Sequence, residues 1–237
     1  MSDKINFKLF KPFGSTIAKS VLPLNLMKEF QEDLKQIRED KDKAKNHDWG
    51  NQLIGQVHGE YLITPEVMLK WKELFFDPII SGYTNGHYKD SKIESIKITS
   101  AWYVVQKPGD YNPCHTHVTY TNKEKGADLS CVGYLTIPDA MKPNKNAKEH
   151  DDTSGNLEFL EGSENMFFDA NYKVLPEVRD WYLFPSNLRH TVYKFDSDNK
   201  DDERISFSFN AIIIFKPNGW IIMYYLLTMF VSTIRKD

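Results

Sequence analysis

Cysteine is scarce in this chain of 237 residues, which contains only Cys114 and Cys131. Two cysteines cannot supply the disulfide framework of a small secreted domain, and they suit a reducing compartment. The first ten residues, MSDKINFKLF, lack the apolar core of a signal peptide. These features predict a cytoplasmic protein without structural disulfides.

The chain also lacks a strong charge of either sign. Its formal net charge is −3, so nothing favours nucleic acid or an anionic membrane as a partner. The most apolar stretch, GWIIMYYLLTMFVSTIRKD at 219–237, holds roughly fifteen mostly apolar residues, fewer than the roughly 18–20 that span a bilayer. We therefore expect a buried terminal strand or helix there, with a membrane or partner contact as the alternative.

Apolar and charged residues occur in the proportions of an ordinary globular protein, 41% and 27%. We expect a single domain, with a helical support region over 1–90 and an apolar C-terminal segment over 216–237. Helical spacing of apolar residues predicts one helix within 24–46 and a second within 64–83. Thr64 can cap the second helix, and Pro65 suits its first position.

After residue 90 the sequence becomes rich in β-branched and aromatic residues. Turn residues separate the predicted strands, which favours an antiparallel sandwich or small barrel over 91–215. The polar segment 139–156 has no periodicity, and loops of that length are usually lids or disordered. We expect it at the mouth of the barrel. The predicted strands lie in SKIESIKITSAWYVVQK, LSCVGYLTIP, GNLEFLEG, DWYLFPS and RISFSFNAIIIF.

The segment PGDYNPCHTH, residues 108–117, carries two histidines two positions apart. On a strand, His115 and His117 share one face because side chains alternate. Two imidazoles on one face can converge on a metal ion, or they can simply face water. A third histidine, His190, follows a Pro-Ser-Asn turn further along the chain.

The strand ERISFSFNA alternates polar and apolar side chains. It places Arg204, Ser206, Ser208 and Asn210 on one face. That face could be wet, or it could line a cavity in which Arg204 is available to a carboxylate, since its planar fork pairs bidentately and stays charged.

In order, His-x-His, a strand with a Gly-rich turn, a Phe-Pro turn ending in histidine, and Arg-x-Ser resemble the iron(II)/2-oxoglutarate-dependent oxygenases. The resemblance is to their prolyl-hydroxylase-like branch and covers roughly residues 96–214. It implies a double-stranded β-helix, a jelly-roll barrel of two antiparallel sheets with supporting helices. The implied activity is hydroxylation of a small-molecule or peptide substrate, using iron(II) and releasing succinate and CO₂ from 2-oxoglutarate.

The resemblance also implies roles for individual residues. His115 and His190 correspond to iron ligands, and Arg204 to the residue that pairs with the distal carboxylate of 2-oxoglutarate. Ser206 corresponds to a residue that assists Arg204, and Tyr134 to a tyrosine that hydrogen-bonds the same carboxylate.

One position departs from the family, because His117 stands where the usual motif has aspartate and the facial triad has a carboxylate. His117 could itself be the third ligand. Alternatively, Asp128 or Glu158 could complete the triad, or His117 could lie behind the ligands and leave the site open.

Two other interpretations remain. The segments GDYNPCHTH and PSNLRH partly match cupin motifs, which also belong to jelly-roll barrels. A cupin-like enzyme would use a metal without 2-oxoglutarate, and a metal-free binding barrel would use neither. The cupin pattern does not account for Arg204 and Ser206, so we expect the oxygenase. The sequence does not indicate an oligomeric state.

Overall fold

A computed structural model describes residues 8–10, 14–88, 92–118, 126–141, 154–163 and 169–216. The strands in these ranges are β1 (Lys8–Phe10), β2 (Ile17–Val21), β3 (Gly59–Leu62), β4 (Ile93–Gln106), β5 (Asn112–His115), β6 (Leu129–Thr136), β7 (Leu157–Leu160), β8 (Asn171–Val174), β9 (Asp180–Pro185), β10 (Arg189–Val192) and β11 (Arg204–Phe215). The α-helices are α1 (Leu24–Glu39), α2 (Lys41–His47), α3 (Pro65–Trp71) and α4 (Asp77–His87).

The strands form two antiparallel sheets. The larger sheet has seven strands in the order β1-β2-β9-β6-β11-β4-β3, and the smaller has four in the order β5-β10-β7-β8. Residues of both sheets line one cavity of about 390 Å³. The predicted jelly-roll architecture is confirmed.

Alternation along β11 gives the two faces of the larger sheet different surroundings. The rings of Phe207 and Phe209 are buried, and their centroids lie 4.9 Å from those of Phe30 in α1 and Phe76 before α4, respectively. Ser206 and the residues two apart from it point the other way and line the cavity. The helices therefore cover one face of the sheet with apolar contacts and leave the polar face to the site.

The first predicted helix is interrupted at Asp40. Its backbone there is extended, and its side chain accepts hydrogen bonds from the backbone N–H groups of Asp42 and Lys43. Asp40 therefore ends α1 and caps α2. Periodicity within 24–46 did not reveal this break, because aspartate in a charged helical segment gives no apolar signal.

The second predicted helix is also divided, with a π-helical turn at Lys72–Phe76 between α3 and α4. Pro78 accounts for it, because proline inside an α-helix lacks the N–H and clashes with the preceding turn. Pro78 is the second residue of α4, where a backbone N–H would have no intrahelical hydrogen-bond partner in any case. Thr64 precedes α3 but does not cap it; its hydroxyl instead donates to Asp33 Oδ1 at 2.7 Å.

Residues 1–90 contribute β1, β2 and β3 to the larger sheet as well as the helices. Within the described ranges, no helix is long and apolar enough to cross a membrane. Most of the polar segment 139–156, and all of the C-terminal segment beyond Lys216, lie outside the described residues.

Candidate active site

Three histidine side chains meet in the cavity. His115 ends β5 and pairs with His190 of β10 in the register of the smaller sheet. The ring centroids of His115 and His190 are 4.3 Å apart, and that of His117 lies 5.0 Å and 5.1 Å from them, respectively. One nitrogen from each ring lies within 4.8 Å of the other two. The fold thus brings together the three histidines that the sequence singled out.

Backbone carbonyl groups orient two of the rings. His115 Nδ1 lies 2.7 Å from the carbonyl oxygen of Pro113, and His190 Nδ1 lies 2.9 Å from that of Leu188. A carbonyl only accepts, so each Nδ1 carries the proton and donates it. Each Nε2 then has a free lone pair, and metal-binding histidines usually have this arrangement.

His117 completes the cluster. Its Nε2 lies 3.2 Å from Nε2 of His190. Two nitrogens bound at right angles to one ion, each about 2.1 Å away, are about 3.0 Å apart. The observed spacing therefore fits two adjacent ligands of one metal ion.

Burial keeps these imidazoles neutral, which is the form that binds metal. Removal from water lowers the pKa of His115, lowers that of His117 to about 3, and lowers that of His190 well below its ordinary value. Mutual repulsion between the rings lowers the pKa values of His117 and His190 further. The donor set thus fits iron(II), which accepts imidazole ligands.

Neither alternative carboxylate joins the cluster. Glu158 is opposite Thr191 in the smaller sheet, while His190 is opposite Phe159, so Glu158 lies on the other face and binds Asn171 and Tyr193. Asp128 precedes β6 and accepts from the backbone N–H of Ile213 at 2.8 Å. Among the described residues, the convergent group contains the three histidines and no carboxylate.

A buried guanidinium group lines another part of the cavity. Arg204 is 1% exposed and donates to neutral acceptors, namely Gln106 Oε1 at 2.9 Å and the Gly155 carbonyl at 2.6 Å. Burial lowers the pKa of Arg204 to about 10, so it remains charged at neutral pH. No carboxylate of the described ranges forms an ion pair with it. A buried cation of this kind is stabilised by an anionic ligand.

Tyr134 and Ser206 stand beside this cation. They are opposite each other in β6 and β11, so they share the cavity face. The Tyr134 hydroxyl is buried and has no hydrogen-bond partner among the described residues. Burial also raises the pKa of Tyr134 to about 12, which keeps it a donor. An orphaned donor next to an unpaired guanidinium fits a carboxylate ligand.

The sequence did not predict the roles of three further cavity residues. Gln106, opposite Arg204 in β4, holds the guanidinium. Asn210 was placed on the polar face, but its contact with His117, 3.4 Å between Asn210 Nδ2 and His117 Nδ1, was not foreseen. Glu60 in β3 is a buried carboxylate of the same cavity. Polar residues at Gln106 and Glu60 within apolar segments were the available signal.

The chain has the fold of several solved oxygenases. A Pseudomonas putida prolyl-4-hydroxylase superposes with a TM-score of 0.51 and 15% identity, over 85% of this chain and 92% of the other. A Trichoplax adhaerens prolyl hydroxylase, solved with a hypoxia inducible factor peptide fragment, gives 0.53 and 14%, over 84% and 83%. HygX from Streptomyces hygroscopicus, with nickel and 2-oxoglutarate bound, gives 0.50 and 11%, over 85% and 83%.

A jelly-roll barrel with a histidine cluster and a buried arginine in one cavity defines a class, the oxygenases that use iron(II) and 2-oxoglutarate. Residues 100–210, which include all three histidines and Arg204, match the family described as "Putative 2OG-Fe(II) oxygenase". The chain is similar to this family over a little less than half of its length, and the match indicates a dioxygenase with iron(II) and 2-oxoglutarate as cofactor and cosubstrate. No curated protein matches the chain in a sequence comparison. The resemblance found in the motifs is thereby confirmed.

Proposed function

We propose that His115, His117 and His190 hold the iron(II), and that Arg204, Tyr134 and Ser206 hold the distal carboxylate of 2-oxoglutarate. The observation that carries this proposal is the buried Arg204, which has neutral partners in the same cavity as three neutral imidazoles. One part of the cavity offers metal ligands and another offers a fixed cation. A dicarboxylate with a metal-chelating end fits both.

When bound, iron(II) and 2-oxoglutarate supply the activation of O₂, with release of succinate and CO₂ and transfer of one oxygen atom to the substrate. The chain's own residues position the reactants. The fork of Arg204 is held by Gln106 and Gly155, so its remaining N–H groups are aimed before the ligand arrives, and little ordering is needed on binding. Ser206 adds a hydroxyl group from β11, the strand of Arg204, and Tyr134 adds one from the neighbouring strand β6.

The apolar walls around these groups exclude water. Leu157 and Phe184 line the cavity and are almost fully buried. In such surroundings the attraction between Arg204 and a carboxylate is stronger than in water. We infer that this selects a dianionic cosubstrate over a neutral one.

The substrate is a small molecule or a peptide, and the reaction we propose is hydroxylation. The cavity of about 390 Å³ lies within the range of small-ligand sites. We also propose a cytoplasmic location, because both cysteines are free thiols and Cys114 is exposed.

Conversion of 2-oxoglutarate to succinate under air, with purified protein and added iron(II), tests the activity. Arg204→Ala tests the pocket: it should weaken 2-oxoglutarate binding by about 2–5 kcal/mol, because the ligand carboxylate loses its charged partner. Metal affinity should be nearly unchanged. Arg38→Ala is the matched control, since Arg38 pairs with Glu203 near the surface, outside the cavity. Equal 2-oxoglutarate affinity in parent and Arg204→Ala would contradict the assignment and favour a cupin-like enzyme.

A further inference from the structure

Glu60 is a buried acidic side chain that the metal and cosubstrate sites leave unused. It lies in β3, at the edge of the larger sheet, and lines the same cavity as the histidines. Its residue exposure is 3%, and its Oε1 has no hydrogen-bond partner in the part of the chain that the structure describes. Buried carboxylates are normally paired. Glu60 therefore lacks a partner that its environment demands.

The strand register shows where Glu60 stands relative to the other groups. Glu60 is opposite Val104, Val104 is opposite Ser206, and Ser206 is opposite Tyr134. These four residues form a row across the cavity face, with Glu60 about 10 Å from Ser206 because neighbouring strands are about 4.8 Å apart. One strand, β4, thus separates Glu60 from Ser206 in the pocket proposed for 2-oxoglutarate.

The surroundings of Glu60 favour a positive charge. Burial, together with the nearby carboxylate of Asp48, raises the pKa of Glu60 to about 7. No arginine or lysine of the described ranges forms an ion pair with it. The negative charges are therefore held near each other without a cation, and a positively charged ligand group would relieve both the burial and the repulsion.

Two indole rings line the same cavity. Trp102 is opposite Leu62, two residues from Glu60 on the same face of the sheet, and is buried. The backbone N–H of Trp49 donates to the carbonyl oxygen of Glu60 at 2.9 Å, and Trp49 is also a lining residue of the cavity. Indole faces attract cations. A carboxylate with two such rings is suited to an alkylammonium or guanidinium group.

We propose that Glu60, with Trp102 and Trp49, forms a subsite for a positively charged alkylammonium or guanidinium group of the substrate. The inference rests on the proposed function, in which Arg204 takes the anionic cosubstrate, and it adds a class of substrate. The cationic group would be fixed at Glu60 while another part of the substrate extends toward the histidines. Trp102 lies between, with its ring 6.1 Å from that of His117.

The test compares matched charged and neutral probes on the full chain. A free amine is represented by n-pentylammonium against n-pentanol, and a peptide side chain by N-acetyl-lysine methylamide against N-acetyl-norleucine methylamide. Binding is measured by saturation-transfer NMR without oxygen, both with and without manganese and 2-oxoglutarate. We expect at least one ammonium probe to bind about ten-fold more tightly than its neutral partner. The pair that shows the larger difference identifies the source of the cation.

Glu60→Gln should reduce this preference from about ten-fold to less than about two-fold, because the ammonium group loses its charged partner. The variant should leave 2-oxoglutarate affinity unchanged. Glu66→Gln, at an exposed position of α3, should retain the preference. Glu60→Met provides the same comparison if the glutamine variant does not fold. Equal binding of charged and neutral probes, no binding of either, or a preference that survives loss of Glu60 would overturn the subsite. A parent protein that does not bind 2-oxoglutarate would instead overturn the proposed function.

Discussion

The contact between His117 and His190 depends on which nitrogen carries a proton. His190 donates from Nδ1, so its Nε2 is a lone pair facing Nε2 of His117 at 3.2 Å. If Asn210 donates its amide to His117 Nδ1, the proton of His117 sits on Nε2 and forms a hydrogen bond to His190. If the amide of Asn210 is rotated, its oxygen accepts from Nδ1–H, and both Nε2 atoms are free for a metal ion.

The neighbours of Asn210 accommodate either orientation. Ser130 Oγ lies 2.7 Å from Asn210 Oδ1, and Ser100 Oγ lies 3.3 Å from Nδ2. A hydroxyl group both donates and accepts, so each serine can reverse its role. Asn210 can therefore favour the tautomer of His117 in which Nε2 is free for a metal ion.

Asn210 should accordingly control metal affinity without contacting the ion. Asn210→Asp offers only acceptors to His117 Nδ1–H and should retain or tighten binding of cobalt(II). Asn210→Leu offers none and should weaken it by about 10–100-fold, the usual effect of losing the partner of a metal-binding histidine. A titration followed by cobalt absorption measures this. Asn51→Leu, at an exposed position, is the control, and an Asn210→Leu variant that binds like the parent would exclude the role.

His117 itself gives the second prediction. His117→Ala should weaken binding of iron(II), because it removes one of three convergent nitrogens. His117→Asp should retain or strengthen binding, since it restores the commoner facial triad and adds a negative charge. Metal stoichiometry and affinity of the purified variants measure both effects. Glu158→Gln should have no effect, because Glu158 lies on the opposite face; if it lost the metal while His117→Ala kept it, the three-histidine site would be wrong.

Motifs located these histidines because each lies in a short, recognisable stretch of sequence. Their roles as metal ligands stay predictions. The partners of the site residues could not be located in the same way. Gln106 meets Arg204, and Asn210 meets His117, through strand register and chain crossings that separate the members of each pair by many residues. A polar residue in a β-segment shows only that one face is polar.

The strands show more of their environment in the sequence than the helices do. Alternation in RISFSFNA correctly separated the cavity face of β11 from the apolar face, because side chains alternate strictly in a strand. The predicted helices were found, but their interruptions at Asp40 and before Asp77 were not. Capping and π-helical turns depend on backbone geometry that apolar periodicity does not record.

Gly133 in β6 shows how closely helices and sheet are packed. A Cβ at this position would lie 2.2 Å from Cε1 of Phe207. Phe207 cannot move aside easily, because its ring is fully buried and packs against Phe30 at 4.9 Å between centroids. Glycine is required here by close approach across the sheet.

Gly133→Ala should therefore lower the free energy of unfolding by about 1–3 kcal/mol, the usual effect of overpacking a core. Urea denaturation measures it. Gly50→Ala is a suitable control, since its Cβ would meet its nearest neighbour at 3.5 Å, an ordinary contact. The folded Gly133→Ala protein should bind cobalt(II) like the parent, because Gly133 is opposite Phe207 on the face away from the cavity. An unchanged denaturation midpoint would show that the core yields.

The cavity places charged and polar groups where the fold alone does not satisfy them. Arg204 and Glu60 are both buried in its wall, one with neutral partners and the other with an unpaired oxygen. Such groups lower the stability of the ligand-free protein, and ligands of opposite charge restore it. The residues proposed to recognise the ligands should thus also limit the stability of the ligand-free protein.

Glu60 allows this relation to be measured through pH. Its carboxyl pKa is raised from 4.5 to about 7 in the folded protein, so the folded state holds the proton more tightly than the unfolded state. Stability should then be greatest below about pH 4.5 with respect to this group, and should fall as pH rises through 7. The shift corresponds to roughly 3 kcal/mol, and solvent in the open cavity screens part of it, so we expect about 1–2 kcal/mol.

Glu60→Gln, which never ionises, should exceed the parent in free energy of unfolding by this amount at pH 8 and by much less at pH 5. Urea denaturation at the two pH values measures the difference, with Glu66→Gln as the control. A difference between parent and Glu60→Gln that does not grow with pH would mean that Glu60 already has a partner in the ligand-free protein.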